Sequence, residues 1–191
     1  MTHDAGEKHP ATIDDKLARA LALAIAKMPR ANLQQIASSA GISRATLYRI
    51  SPTREGLVDM LTARANDHLQ QALADAALDR PPAREALGRL TENVMKAREF
   101  YLFWSAMLWN SMLEVGDSST PSLYGQTLEQ FFLNGQQTGI FRIDMPAKWL
   151  ATSYDYLLYA AIDSAQRGEI ATVGLASMVE RTLFGGISPI A

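Results

Sequence analysis

The stretch from Asn32 to Leu57, NLQQIASSAGISRATLYRISPTREGL, constrains this chain more than any other. Asn32, with Gln35 three residues on, has the capping-box pattern that starts a helix. Ile36, Ala37 and Ala40 share one face of that helix. Gly41 stands where the turn needs a left-handed backbone without a Cβ penalty. Ser43 follows as an N-cap whose hydroxyl can accept a backbone N–H. At about 100° per residue, Arg44, Ala45, Tyr48 and Arg49 of the second helix group on one side and Leu47 and Ile50 on the other. The apolar side packs back on the first helix. The opposite side offers two guanidinium groups, a phenol and one small residue, a set that can reach base edges and phosphates in a major groove. An ordinary helical hairpin with a solvated basic face would carry the same pattern.

Several spaced positions in this stretch agree with one known signature. Ile36-Ala37, Ala40-Gly41-Ile42-Ser43, Thr46-Leu47-Tyr48 and Arg54-Glu55-x-Leu57 resemble the DNA-binding signature of the tetracycline-repressor (TetR) family, over about a quarter of the chain. One position departs: Ser51 stands where the family usually has an aromatic residue packed between the recognition helix and the next one. Ile50 is the neighbour able to take over part of that packing. The resemblance implies a dimeric regulator, a repressor by expectation, that binds a palindromic operator through the helix Arg44–Ile50. Arg44 and Ala45 are the expected base readers, Arg44 being suited to guanine O6 and N7. Thr46, Tyr48 and Arg54 are expected on phosphates, with Asn32 and Gln34 beside them, Ser43 at the helix start, and Arg49 in either role.

Charge distribution agrees with a DNA-reading head. The 191 residues carry a net charge of −2, which by itself disfavours a nucleic-acid partner. Residues 1–65, however, hold nine Lys and Arg against six acids, a net of +3, and the remainder is acidic. A positive head on an acidic body fits a small DNA-binding domain joined to a part with another task.

The rest of the chain reads as all-α, with about nine helices and no period-2 runs. Residues 1–11 are polar and read as a disordered arm. Ile13 to Met28 forms a first helix, stopped by Pro29, which completes a three-helix helix-turn-helix head over residues 12–52. Residues 53–191 form a larger helical body. Thr53 caps a long helix to about Leu78, and Pro81-Pro82 ends it. One helix is expected from Ala83 to about Val115, apolar nearly all round in its second half and therefore buried. A loop at 116–121 precedes helices over 122–138, 146–167 and 171–184.

The resemblance implies that the body binds a small effector and dimerises through the helices at about 146–167 and 171–184. Phe103, Trp104, Met107, Leu108, Ser111, Phe131 and Tyr154 would suit an apolar or amphipathic ligand. The same residues could equally be the core of a helical bundle. Asn110 and Ser111 are polar within an apolar helix and need partners, which a ligand, water or the backbone could supply.

Catalysis finds no foothold. The chain has no cysteine, and its three histidines, His3, His9 and His68, have no partner at metal-ligand spacing. Neither a GxGxxG nor a P-loop occurs. No enzymatic activity, cofactor or metal is expected, and without a signal peptide or a membrane span the expected location is cytoplasmic. Ser51 leaves one alternative open: a helical small-molecule-binding protein whose degenerate helix-turn-helix no longer binds DNA.

Overall fold

The computed structural model describes residues 13–115 and 122–187, with side chains over 13–108 and 122–185. The expected arm at 1–11, the loop at 116–121 and the side chains of Asn110 and Ser111 lie outside the described residues. Among the described residues the chain forms nine helices and no strand. They are α1 (Asp15–Lys27), α2 (Leu33–Ser39), α3 (Arg44–Ile50), α4 (Arg54–Ala76), α5 (Ala83–Lys96), α6 (Arg98–Val115), α7 (Leu123–Gln137), α8 (Ala147–Gln166) and α9 (Leu175–Ile187).

Local capping sets the N-termini of the head. The Asp14 carboxylate accepts from Leu17 N at 2.8 Å and starts α1. Asn32 and Gln35 exchange hydrogen bonds of 3.0 and 2.9 Å and start α2 as a full capping box. Thr53 Oγ1 accepts from Gly56 N at 3.1 Å and starts α4.

Two apolar cores share the chain. The head core gathers Leu21 and Ile25 of α1, Ile36 of α2 and Leu47 of α3. It is completed from outside residues 12–52, by Leu57, Leu61 and Ala65 of α4 and by Phe100 and Phe103 of α6. The body core holds Leu69, Ala72 and Ala76 of α4 with residues of α5 to α9, among them Leu90, Tyr101, Leu128, Phe132, Tyr154, Leu158 and Val179. Within it α7 packs on α8, α8 on α9, and α9 on α5. Both α4 and α6 therefore run through the two cores, and α1 lies along α6.

The single helix expected over 83–115 is two helices. Ala97, at φ −120° and ψ 31°, leaves the helical region between α5 and α6. No Pro or Gly marks the break. Its cause is tertiary: the Lys96 carbonyl accepts from Arg19 Nη1 of α1 at 2.7 Å. The same guanidinium binds Asp15 at 2.6 Å and Glu99 at 3.0 Å and sits 5.4 Å from the Phe100 ring centroid. His68 of α4 stacks on the other side of this joint, its ring centroid 4.6 Å from that of Phe100. The break lets α6 turn toward α1 while α5 stays against α4 and α9.

In the body, α7 ends on a close contact. A Cβ on Gly135 would lie 2.2 Å from the Phe141 ring, and the Gly135 carbonyl accepts from Ile140 N at 2.8 Å. Phe141 is thereby folded back onto Phe131 and Phe132, with ring centroids 5.6 and 5.2 Å away. Gly135→Ala must displace that buried ring and should cost about 1–3 kcal/mol. Urea denaturation of the two proteins checks this, and an unchanged midpoint would contradict the packing.

Candidate functional site

The solvent face of α3 is built from the turn upward. Gly41, at φ +73°, reverses the chain after α2, and Ile42 N returns to the Ala37 carbonyl at 3.0 Å. Ser43 Oγ accepts from Thr46 N at 3.1 Å and shares a second hydrogen bond with Thr46 Oγ1 at 2.9 Å. Leu47 is fully buried beneath the helix, and Ile50 packs at the edge of the head core. That seating leaves Arg44, Ala45, Tyr48 and Arg49 exposed together, with Thr46 half-buried beside them. The Arg44 guanidinium lies over the Tyr48 ring at 4.9 Å and donates to the Tyr48 hydroxyl at 3.1 Å. The two side chains are thus held in one arrangement without a ligand. Asn32 and Gln34 stand exposed at the start of α2.

Arg54 is placed differently from these. It is half-buried, and its guanidinium donates to the Ala31 carbonyl at 3.2 Å and to the Pro29 carbonyl. It ties the α1–α2 loop to the start of α4, where the sequence alone suggested a phosphate contact.

Ser51 has a local explanation. It is buried at the C-terminus of α3, and its hydroxyl donates to the Thr53 carbonyl at 2.8 Å. A Cβ on Gly56 would sit 3.0 Å from Ser51 Oγ, so the first turn of α4 comes down directly on this side chain. A small hydrogen-bonding residue closes the α3–α4 turn here, and the helix-turn-helix remains intact without the aromatic.

Apart from Leu108, those of the residues expected around a ligand that have described side chains are divided between the two cores. Phe103 points into the head core, not the body. Trp104 is half-buried against both cores, and Met107 and Leu108 are half-buried. Phe131 belongs to the body core and borders an open cleft of about 180 Å³ with Leu78, Pro81 and Ile140. Tyr154 is fully buried, and the Ser111 side chain lies outside the described residues.

Tyr154 instead belongs to a buried polar group of side chains between α5, α6, α7 and α8. Thr91 Oγ1 donates to the Leu87 carbonyl at 2.9 Å, so the 3.2 Å contact with Tyr154 has the Tyr154 hydroxyl as donor. Tyr101 Oη donates toward Asp155 Oδ1 at 2.8 Å and the Asp155 carbonyl at 2.9 Å. Burial pushes the Asp155 carboxyl up to about 6, against the opposing effect of that hydrogen bond. Burial likewise pushes the phenols of Tyr101 and Tyr124 well above their ordinary value. Sequence reasoning missed Asp155, although it is the lone charged residue between Leu150 and Ile162. It also missed the Arg19–Asp15–Glu99 joint, for which no local signal exists.

The sign of the Asp155 effect on stability follows from its raised pKa. The folded state holds the proton more tightly than the unfolded chain, so this group's contribution is fully present below about pH 4 and is lost as pH rises through about 6. Asp155→Asn should therefore stabilise the protein at pH 7.5, by about 3 kcal/mol at most, and the gain should shrink toward pH 5. Thermal melts of both proteins across that range check it; a gain independent of pH would contradict it.

Comparison with known proteins places the chain among bacterial regulators. No family model matches it. It is 35% identical over 176 residues to the HTH-type transcriptional regulator NfxB of Pseudomonas aeruginosa, across 92% of this chain and 94% of that protein. Among solved structures, the TetR-like regulator LfrR of Mycobacterium smegmatis is 22% identical, covering 92% of this chain and 99% of its own, with a TM-score of 0.61. LfrR is also solved in complex with proflavine. The ketosteroid transcriptional regulator KstR2 of Mycobacterium tuberculosis is 16% identical, covering 94% and 97% of the two chains, with a TM-score of 0.65. A curated relative matched along nearly the whole length establishes that the chain belongs with the HTH-type transcriptional regulators, and its fold around an intact helix-turn-helix is the one solved for TetR-like regulators.

Proposed function

We propose that the protein is a ligand-responsive repressor that binds a palindromic operator as a dimer, with α3 in the major groove and a small apolar or amphipathic effector in the body. The observation that carries the DNA reading is the exposed set on α3, Arg44, Ala45, Tyr48 and Arg49, held over a fully buried Leu47. Arg44 reads a guanine through O6 and N7, and Ala45 leaves room for the approach of the helix or contacts a thymine methyl. Ser43, Thr46, Tyr48, Asn32 and Gln34 bind phosphates, and Arg49 binds base or backbone. Arg54 acts on the same interface by fixing the loop before α2.

A dimer supplies the second half-site, since one short helix reads only a few base pairs. Trp149 and Tyr156, exposed on α8 at 58% and 55%, support α8 as part of the pairing surface with α9. The proflavine complex of LfrR, a protein of the same fold, supports a small-molecule effector. Cytoplasmic location follows from the function, and no described helix is long and apolar enough to cross a membrane.

Fluorescence anisotropy with duplex DNA flanking the protein's own gene tests this. Arg44→Ala should cost about 1–3 kcal/mol on the operator and relax specificity at one base pair. Unchanged binding to both operator and random DNA would contradict the role of α3. Arg54→Ala should lower folding stability by about 1.5–3 kcal/mol and leave the salt slope of the folded protein nearly unchanged. A slope flatter by about one unit would make Arg54 a phosphate ligand instead.

A further inference from the structure

Arg44 and Arg49 both stand exposed on α3, yet they are held differently. Arg44 Nη2 donates to the Tyr48 hydroxyl at 3.1 Å, and its guanidinium lies 4.9 Å from the centre of the Tyr48 ring. Four residues apart on a helix, the two side chains lie one turn from each other on the same face. Among the described residues the Arg49 side chain has no hydrogen bond, ion pair or ring contact. Tyr48 is exposed and belongs to neither apolar core, so folding alone does not account for its ring and hydroxyl.

The bond engages one lone pair of the phenol oxygen and one N–H of the guanidinium. The rest of the fork stays available to guanine O6 and N7, and the phenol keeps its own proton for a phosphate. Accepting from Arg44 and donating to the DNA backbone are therefore compatible in one hydroxyl. Ring and hydroxyl together restrain the plane and the position of the guanidinium. Two-point reading of a base edge depends on both, because a fork turned out of plane loses one of its hydrogen bonds. The turn beneath is fixed as well, by the buried Leu47 and by the Ser43–Thr46 hydrogen bonds.

We propose that Tyr48 is the positioning residue of Arg44, and that its hydroxyl sets how strongly the operator is preferred over other DNA. The inference rests on the DNA-reading role of α3 and assigns the selectivity within it. An arginine fixed before contact loses little side-chain freedom when it meets a guanine. Facing a base with a donor in place of O6, the same fixed fork sets an N–H against an N–H, and it must leave Tyr48 to turn away. Without the hydroxyl, Arg44 turns freely toward phosphates, which carry no sequence.

A double-mutant cycle over Arg44 and Tyr48 tests this, read by fluorescence anisotropy of the full chain. The probes are the duplex from the flank of the protein's own gene, the same duplex with single base pairs replaced, and random duplex. Tyr48→Phe keeps the ring, removes the hydroxyl and, at an exposed position, should leave the circular dichroism native. It should lower the preference for the operator over random duplex by about threefold to tenfold, at the base pair that Arg44→Ala also relaxes. In the Arg44→Ala protein the same change should leave the preference where it is. An equal loss on every duplex would make the hydroxyl a phosphate contact alone and overturn the inference. A loss of preference that adds in full to that of Arg44→Ala would overturn it too. If Arg44→Ala relaxes specificity and Tyr48→Phe does not, the inference falls and the DNA-reading role of α3 stands. If Arg44→Ala leaves every duplex bound as before, both fall.

Discussion

Phe100 and Phe103 leave α6 toward the head while Tyr101 and Leu102 leave it toward the body. This division of one helix between two cores is the constraint on which the rest of the structure depends. Fully burying a ring contributes about 1.5–3 kcal/mol, so neither face can be released at small cost. The head, too small to bury its own apolar surface fully, uses α4 and α6 as its floor. Arg19 closes the joint by binding the carbonyl that the α5–α6 break frees, together with Asp15 and Glu99. A displacement of α6 within the body therefore has to be accommodated at α1, and through α1 at α2 and α3.

The DNA-facing end is rigid for local reasons. Ser43 and Thr46 lock the first turn of α3, Arg44 and Tyr48 hold each other over its surface, and Arg54 anchors the loop before α2. Such an element gains by moving as one piece, because its side chains are already arranged for a groove and lose little entropy on contact. A sensor body then needs only to change the position of this piece relative to a second copy.

Much of the head was legible in the sequence because its determinants are local. Asn32, Ser43 and Thr53 cap the helices that their side chains announce, and Leu47 falls on the buried face that its spacing assigns. Ser51 was legible as a departure but not as a solution, since its fit depends on Gly56 approaching from the next helix. In the body, local signals fail for two reasons. Along α6 nearly every position is apolar, so periodicity cannot say that Phe103 faces the head and Tyr101 the body. The break at Ala97 has no Pro or Gly and is imposed by Arg19 from about eighty residues away in sequence. Asp155 was readable as a lone charge in an uncharged run, yet its hydrogen-bond partner Tyr101 comes from another helix, α6.

The coupling between head and body is the central claim, and native-state hydrogen exchange measures it most directly. If α6 is a shared element of both cores, the amides of α1 and of the N-terminal half of α6 open together, with the same free energy and the same dependence on denaturant. Opening of α1 to α3 at a distinctly lower free energy, with α6 still protected, would show a head that unfolds independently and would contradict the account.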